Sequence, residues 1–168
     1  MLIARARGFS EEEVERIGLG AALHDIGKIA VPDAILRKNG PLTDDEWRIM
    51  RRHPELGYEI LYGIAFLTDS LPVVRHHHER YDGDGYPDGL RGDAIPIGAR
   101  IFSIADAFDA MTSDRHYRRA LPLDQTVEEL KRHSGSQFDP AVVDVLEDVA
   151  EHLLAIRRPD SDSQPEPS

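Results

Sequence analysis

Six side chains able to bind a metal ion through nitrogen or oxygen are spread over four stretches of the chain: His24 and Asp25, His53, His77 and His78, and Asp106. Imidazole and carboxylate donors suit borderline or hard divalent cations. His24 and Asp25 are adjacent in His24-Asp25-Ile26-Gly27-Lys28. Neighbours on a helix point about 100° apart, so the pair reaches different sides of one centre. The two oxygens of Asp25 can bridge two ions. Lys28 lies one turn further along the same side, where its ammonium can meet an anion held by the metals. An isolated His-Asp pair is weak evidence, since most are surface accidents. Ligands on four helices are the arrangement of a two-metal centre inside a helical bundle. Two close cations can turn a bridging water into hydroxide at neutral pH, polarise a phosphoryl oxygen and offset the charge of in-line displacement.

Each residue also has a plain structural reading. His53 precedes Pro54 and would ordinarily be an exposed helix end. Three successive histidines, His76 to His78, would ordinarily be a solvated run, and spacing leaves open whether His76 binds metal or only flanks the site. Asp106 is the least ordinary, because it interrupts an apolar run. Burying an unpaired carboxylate is costly or forces protonation, so Asp106 is expected to be buried against a cation. His133 and His152 read as surface residues.

A chain of 168 residues suits one domain. It is 40% hydrophobic with no long apolar run, which excludes a transmembrane helix and a secretory segment. There is no cysteine, hence no disulfide and no zinc-thiolate site, and a reducing cytoplasm fits. Against 20 basic residues stand 31 acidic ones, a net charge of −11, which argues against DNA binding through a broad basic face. A small phosphorylated ligand stays compatible, because metals and local cations override the global field.

The elements that must position these residues are helical. Met1 to Gly8 reads as the last turns of a helix. Ser10 and Glu13 form a capping box that starts the helix carrying His24 and Asp25, ended by Gly27. Thr43 and Glu46 form a second box, opening a helix through Trp47 and Met50 to His53, where Pro54 ends or kinks it. Leu56 to Ile64 continues as an amphipathic helix. Leu71 to Glu79 is expected to be the helix carrying the three histidines. The glycine-dense run from Tyr81 to about Pro96 reads as a long ordered loop, a kind that is often functional. Ile97 to Thr112 is expected to be a helix apolar nearly all round. Arg115 to Arg119 is a basic patch, and Leu123 to His133 a short helix. Asp139 caps, and Pro140 opens, a last helix with an apolar stripe to Ile156. No stretch alternates like a strand, so the class is all-α, with residues 1–158 as the domain and 159–168 as a disordered acidic tail.

With these residues in hand, the chain resembles the HD-GYP subgroup of the HD-domain metal-dependent phosphohydrolases. The resemblance rests on HDIGK at 24–28, HHERYDGDGYP at 77–87 and IPIGARIFSIADAFDAMTSDRHYR at 95–118. It implies a helical HD-domain bundle with a long GYP loop and two or three divalent metal ions, commonly iron or manganese. It implies hydrolysis of cyclic di-GMP to pGpG, GMP or both by a metal-bridged hydroxide. By position, His24, Asp25, His53, His77, His78 and Asp106 become metal ligands, Lys28 the lysine near the substrate phosphate, and Arg115 and Arg118 substrate-holding cations. Gly85, Tyr86 and Pro87 match the loop linked to substrate access and to contacts with diguanylate cyclase domains. The family draws another histidine from a helix roughly thirty residues upstream of the His-Asp pair, and trinuclear members add a glutamate. Here His24 is the first histidine and 23 residues precede it, so an N-terminally truncated domain is expected, with self-association through the exposed surface. That departure motivates an alternative, a nucleotide- or partner-binding signalling module that does not cleave. An HD phosphohydrolase acting on other nucleotides is a third reading, disfavoured by the GYP segment.

Overall fold

The computed structural model describes residues 1–114 and 119–157. Arg115, Arg118 and the acidic tail lie outside the described residues.

Nine α-helices and three short 3-10 turns make up the regular structure of the described residues, with no strand among them. The helices are α1 (Leu2–Ala6), α2 (Glu11–Leu23), α3 (Asp33–Leu36), α4 (Asp44–Met50), α5 (His53–Leu61), α6 (Leu71–His76), α7 (Ile97–Thr112), α8 (Leu123–Arg132) and α9 (Pro140–Arg157). Both capping boxes form. Ser10 Oγ accepts from Glu13 N while Glu13 accepts from Ser10 N, and Thr43 and Glu46 do the same. Asp139 caps α9 through a bond from Ala141 N to its Oδ1 at 2.9 Å.

Helix α7 runs through the core. Its Ile101, Phe102, Ile104 and Phe108 pack on Ile3 and Ala4 of α1, Val14 and Ile17 of α2, Leu130 of α8 and Leu146 of α9. Each such side chain, fully buried, adds roughly 1.5–3 kcal/mol. Helix α7 was expected to be apolar nearly all round, interrupted by Asp106 and Asp109, with Asp106 buried; both aspartates are instead exposed. They stand three apart, on one face, so α7 is amphipathic and its polar stripe opens on the site described below.

A second, smaller cluster of Leu61, Leu67, Leu71 and Val74 joins α5 to α6, with Leu23, Ile26 and Tyr58 against it. Three expected boundaries shift around it. The helix begun at Asp44 stops at Met50, and α5 begins afresh at His53 with Pro54 in its first turn. Helix α5 stops at Leu61, leaving Ile60 and Ile64 exposed, because the chain turns into the 3-10 segment Ala65–Ser70 there. Helix α6 stops at His76, three residues early.

The chain after α2 passes very close to the start of α5. A Cβ on Gly27 would lie 1.9 Å from the His53 carbonyl oxygen and 2.5 Å from Gly57 N. These are backbone atoms that cannot swing aside, so Gly27 is there for close approach and does not itself end α2, which stops at Leu23. This contact joins the segment bearing Asp25 to the helix bearing His53. Gly27→Ala is expected to destabilise the protein by about 3 kcal/mol or more and to lower its metal content. Thermal unfolding and metal analysis of the two proteins check both.

Candidate metal centre

Most of the candidate ligands sit where helices end. His24 is the C-cap of α2, with helical dihedrals, and Asp25 follows at φ −97° and ψ 4°. The pair was expected inside the helix; it lies just past it, where the backbone bends into the 3-10 segment Ile26–Ala30 that carries Lys28. His53 is the first residue of α5, and His77 is the C-cap of α6 with His78 beyond it. A helix end is free to turn a side chain inward across the axis of its neighbours, which the middle of a helix is not.

His53 is only 2% exposed and His77 5%, which sets aside the plain readings of a surface helix end and a solvated run. His24 and Asp25 are half-buried. His53 Nε2 lies 3.2 Å from His77 Nε2 and 3.4 Å from Asp25 Oδ1. His24 Nε2 lies 3.3 Å from Asp25 Oδ2. The ring of His78 is 4.1 Å from that of His77 and 5.0 Å from that of His53, and the ligand atoms of His53, His77 and His78 all fall within 4.8 Å of one another.

The tautomers follow from the backbone. His24 Nδ1 is 2.7 Å from the Ala21 carbonyl, His53 Nδ1 2.8 Å from that of Met50, and His77 Nδ1 2.8 Å from that of Val74. A carbonyl only accepts, so each Nδ1 carries the proton, and the Nε2 atoms of the neutral His53 and His77 present lone pairs. Two lone pairs therefore face each other at 3.2 Å in a buried setting, and Asp25 Oδ1 beside them is buried with no hydrogen-bond donor. Neighbouring donors on one ion stand about 3 Å apart. A cation bound there removes the repulsion and satisfies the orphaned oxygen, so these residues fit a divalent metal.

The charges agree. Burial, reinforced by the neighbouring imidazoles, pushes His77 down to about 2 and His78 to about 4, so both are neutral donors at pH 7. Burial alone would raise the Asp25 carboxyl, but hydrogen bonds from His24 and Lys28 outweigh it and hold Asp25 well below the usual carboxylate range. Burial likewise opposes a charged His24, and the Asp25 and Asp106 carboxylates with the Ala21 carbonyl overcome it, pulling His24 upward. Asp106 is thus close enough to be felt at His24, and it lines the same cleft as His77, His78 and Tyr86. It was expected to be buried. It faces the cleft from the exposed side of α7, and nothing here requires a cation to rescue it from the core. Lys28 Nζ bonds Asp25 Oδ2 at 2.7 Å. Phe102 closes the inner side, with its ring 4.7 Å from that of His24.

The loop after His78 is built around Glu79, to which the motif reading gave no role. Its side chain is fully buried, and its two oxygens accept from Asp88 N at 2.8 Å and Leu90 N at 3.0 Å. Gly85 lies against it, since a Cβ there would meet Arg80 N at 2.3 Å. The tether holds Tyr86 stacked on His78, with ring centres 4.8 Å apart and planes at 25°. Its one advance signal was an acidic residue following a ligand histidine and preceding a glycine-dense loop. His76, Glu79 and Asp88 also cluster, but Arg75 already takes both Asp88 oxygens. His76 therefore flanks the centre as part of the loop's anchor.

Residues 2–142 match the family model described as HD domain. Among curated proteins, the chain is 50% identical over 147 residues to the cyclic di-GMP phosphodiesterase response regulator RpfG of Xanthomonas campestris, covering 86% of this chain and 39% of that protein. It is 41% identical to the 3'3'-cGAMP-specific phosphodiesterase 2 of Vibrio cholerae, over 92% of this chain and 30% of that one. To a cyclic di-GMP phosphodiesterase of Thermotoga maritima it is 40% identical, over 95% and 44%. The chain thus spans less than half the length of these relatives. Among solved structures, a V. cholerae cyclic GMP-AMP phosphodiesterase (V-cGAP3) superposes with a TM-score of 0.70 at 19% identity, over 91% of this chain and 42% of that one. An HDG"Y"P protein of Bdellovibrio bacteriovorus, Bd1817, follows at 0.68 and 21%, over 89% and 48%. At those identities the likeness is one of fold.

Neutral His77, buried, and His78, half-buried, make the metal-free protein sensitive to acid. Both bind protons more weakly when folded than when unfolded, so stability is full above about pH 6.5 and falls as the pH drops from there toward 4. Thermal melts of the chelated protein are expected to shift down between pH 7 and pH 5, and His78→Asn to shrink that shift. Aligned with the HD domain model over residues 2–142 and carrying HHERYDGDGYP beside its buried imidazoles, the chain belongs to the HD domain family, in its HD-GYP subgroup.

Proposed function

We propose that this chain is a metal-dependent phosphodiesterase that hydrolyses cyclic di-GMP to pGpG, GMP or both. The observation that carries the reading is the position of Asp25: one oxygen faces His53 Nε2 at 3.4 Å and the other faces His24 Nε2 at 3.3 Å. A carboxylate placed between two imidazole sites serves two ions at once. Asp25, His53, His77 and His78 would hold one, and His24, Asp25 and Asp106 the other. The mixed nitrogen and oxygen donors, without sulfur, suit iron or manganese. When bound, such a pair lowers the pKa of water and polarises a phosphoryl oxygen.

The chain's own residues do the rest. Lys28 sits at the mouth with its ammonium on Asp25 Oδ2, where it fixes the carboxylate and has N–H donors for a phosphate oxygen. Phe102 and the stacked Tyr86 exclude water from two sides. Arg115 and Arg118 are proposed to hold the phosphate, and the Gly85-Tyr86-Pro87 loop to meet diguanylate cyclase domains. No side chain in this arrangement need act as nucleophile. The substrate supports the reading in kind: relatives at 50% and 40% identity are named for cyclic di-GMP. A cysteine-free chain needs no oxidising compartment, which supports a cytoplasmic setting.

The test is turnover of cyclic di-GMP after loading with Mn(II) or Fe(II), with metal content measured on the same sample. Losing an outer partner of a metal ligand already costs ten- to hundredfold. Asp25→Ala and His53→Ala are therefore expected to lose activity by more than about a hundredfold and to lower the bound metal. A folded sample holding two ions and releasing no product would leave the non-cleaving binding module as the better account.

A further inference from the structure

Beyond the metal centre the aromatic stacking continues outward. Tyr86, stacked on His78, has the Arg51 guanidinium 5.4 Å from its ring centre, and the same guanidinium lies 5.8 Å from the ring centre of Trp47. Trp47 and Arg51 are one helical turn apart on α4, with Arg51 as its C-cap and Arg51 N bonded to the Trp47 carbonyl. The helix itself therefore sets the arginine over the indole. Trp47 is 45% exposed although it is the chain's one tryptophan and a large apolar ring.

Two features separate Arg51 from the other arginines near the site. Arg75, Arg80 and Arg100 each spend their donors on carboxylates. Among the described residues no carboxylate pairs with Arg51; ring faces hold it in a chain with 31 acidic residues to choose from. A guanidinium held over ring faces keeps its in-plane N–H fork for an acceptor. Its position, one ring away from a metal ligand, puts that fork beside whatever is attached to a phosphate held at the centre.

The geometry points to Trp47 and Arg51 as a base-reading subsite, in which the indole stacks a guanine and the guanidinium donates to its O6 and N7. This rests on the cyclic dinucleotide reading above. Guanine offers two acceptors side by side, which a guanidinium matches, whereas adenine offers N7 beside an N6 donor. Stacking on an exposed aromatic ring is tolerant of base identity, so Trp47 supplies affinity and Arg51 the preference. Curated relatives divide between cyclic di-GMP and 3'3'-cGAMP, which differ by one base, so the preference is open to selection in this group.

Binding of cyclic di-GMP and cyclic di-AMP to the Mn(II)-loaded chain, followed by the fluorescence of Trp47 and by calorimetry, tests this without turnover. Wild type is expected to prefer the guanine ligand by roughly ten- to hundredfold, with quenching of Trp47. Arg51→Ala should remove the preference, Arg51→Lys should keep part of it, and Arg51→Gln, whose amide matches adenine N6 and N7, should shift it toward cyclic di-AMP. Trp47→Phe should weaken both ligands alike. Equal binding of the two ligands by wild type, or an Arg51→Ala protein that loses both by the same factor, would overturn the base-reading role while leaving the phosphodiesterase reading intact. Failure to bind either ligand would remove both. Cyclic di-GMP that binds with preference and is never hydrolysed would keep this inference and remove the catalytic one.

Discussion

The rest of the molecule depends on two lone pairs held face to face. His53 and His77 each give an Nδ1 proton to a carbonyl three residues back, which aims their bare Nε2 atoms at one another at 3.2 Å. In water this arrangement would relax by rotating a ring. Here both rings are buried, and the carbonyls fix their tautomers, so the repulsion is held in place by packing. Asp25 adds a buried carboxylate oxygen with no donor. A folded protein rarely leaves such groups unsatisfied, and the charge that satisfies all three is a cation.

Holding that geometry explains features that would otherwise look arbitrary. Gly27 has no side chain because the backbone bearing Asp25 passes within van der Waals range of the backbone bearing His53. The smaller hydrophobic cluster clamps Leu23 and Ile26, which flank the His-Asp pair, against Leu61 and Val74 from the helices that present the imidazoles. Glu79 lies beyond His78 and ties the following loop back through two backbone N–H groups, so that Tyr86 covers the outermost imidazole. Ligand position, apolar clamp and loop tether are three parts of one support.

Much of this was legible in the residues alone, and what was missed has a common cause. Capping boxes are local, so Ser10 with Glu13, Thr43 with Glu46 and Asp139 before Pro140 marked helix starts correctly. The bounds of α7 were also right, because proline sets one end of the apolar run and the polar Ser113, where the backbone becomes extended, the other. Helix ends are set by tertiary contacts. Apolar spacing runs on past His24 to Ile26, and no glycine or proline stands between Val74 and His78, yet α2 and α6 stop short of both histidines because the chain must turn there to deliver a ligand. Asp106 was misjudged for a related reason. An acidic residue amid apolar ones looks buried until the helix is drawn as a wheel, where Asp106 and Asp109 share the outer face. Glu79 had no periodic signal at all, because its role depends on which loop N–H groups fold back onto it.

The doubly anionic substrate proposed for this acidic chain poses an electrostatic question. With a net charge of −11, the distant field repels phosphate. At physiological ionic strength, however, charges more than about 8 Å away are largely screened, so the local set decides. Around the centre, among the described residues, that set comprises Asp25 and Asp106 against Lys28 and the guanidinium of Arg51 at the rim, and the proposed metal ions with Arg115 and Arg118 would add positive charge. Asp25 is already neutralised by Lys28 at 2.7 Å. The surplus acidic residues lie elsewhere, many of them tied to arginines, as Glu11 is to Arg5 and Glu12 to Arg16. Only cations within a Debye length of the cleft can act on the substrate. Among the described residues no carboxylate pairs with Arg51, while Arg75, Arg80 and Arg100 are committed to carboxylates, so the base contact proposed at Arg51 can change without disturbing the imidazoles.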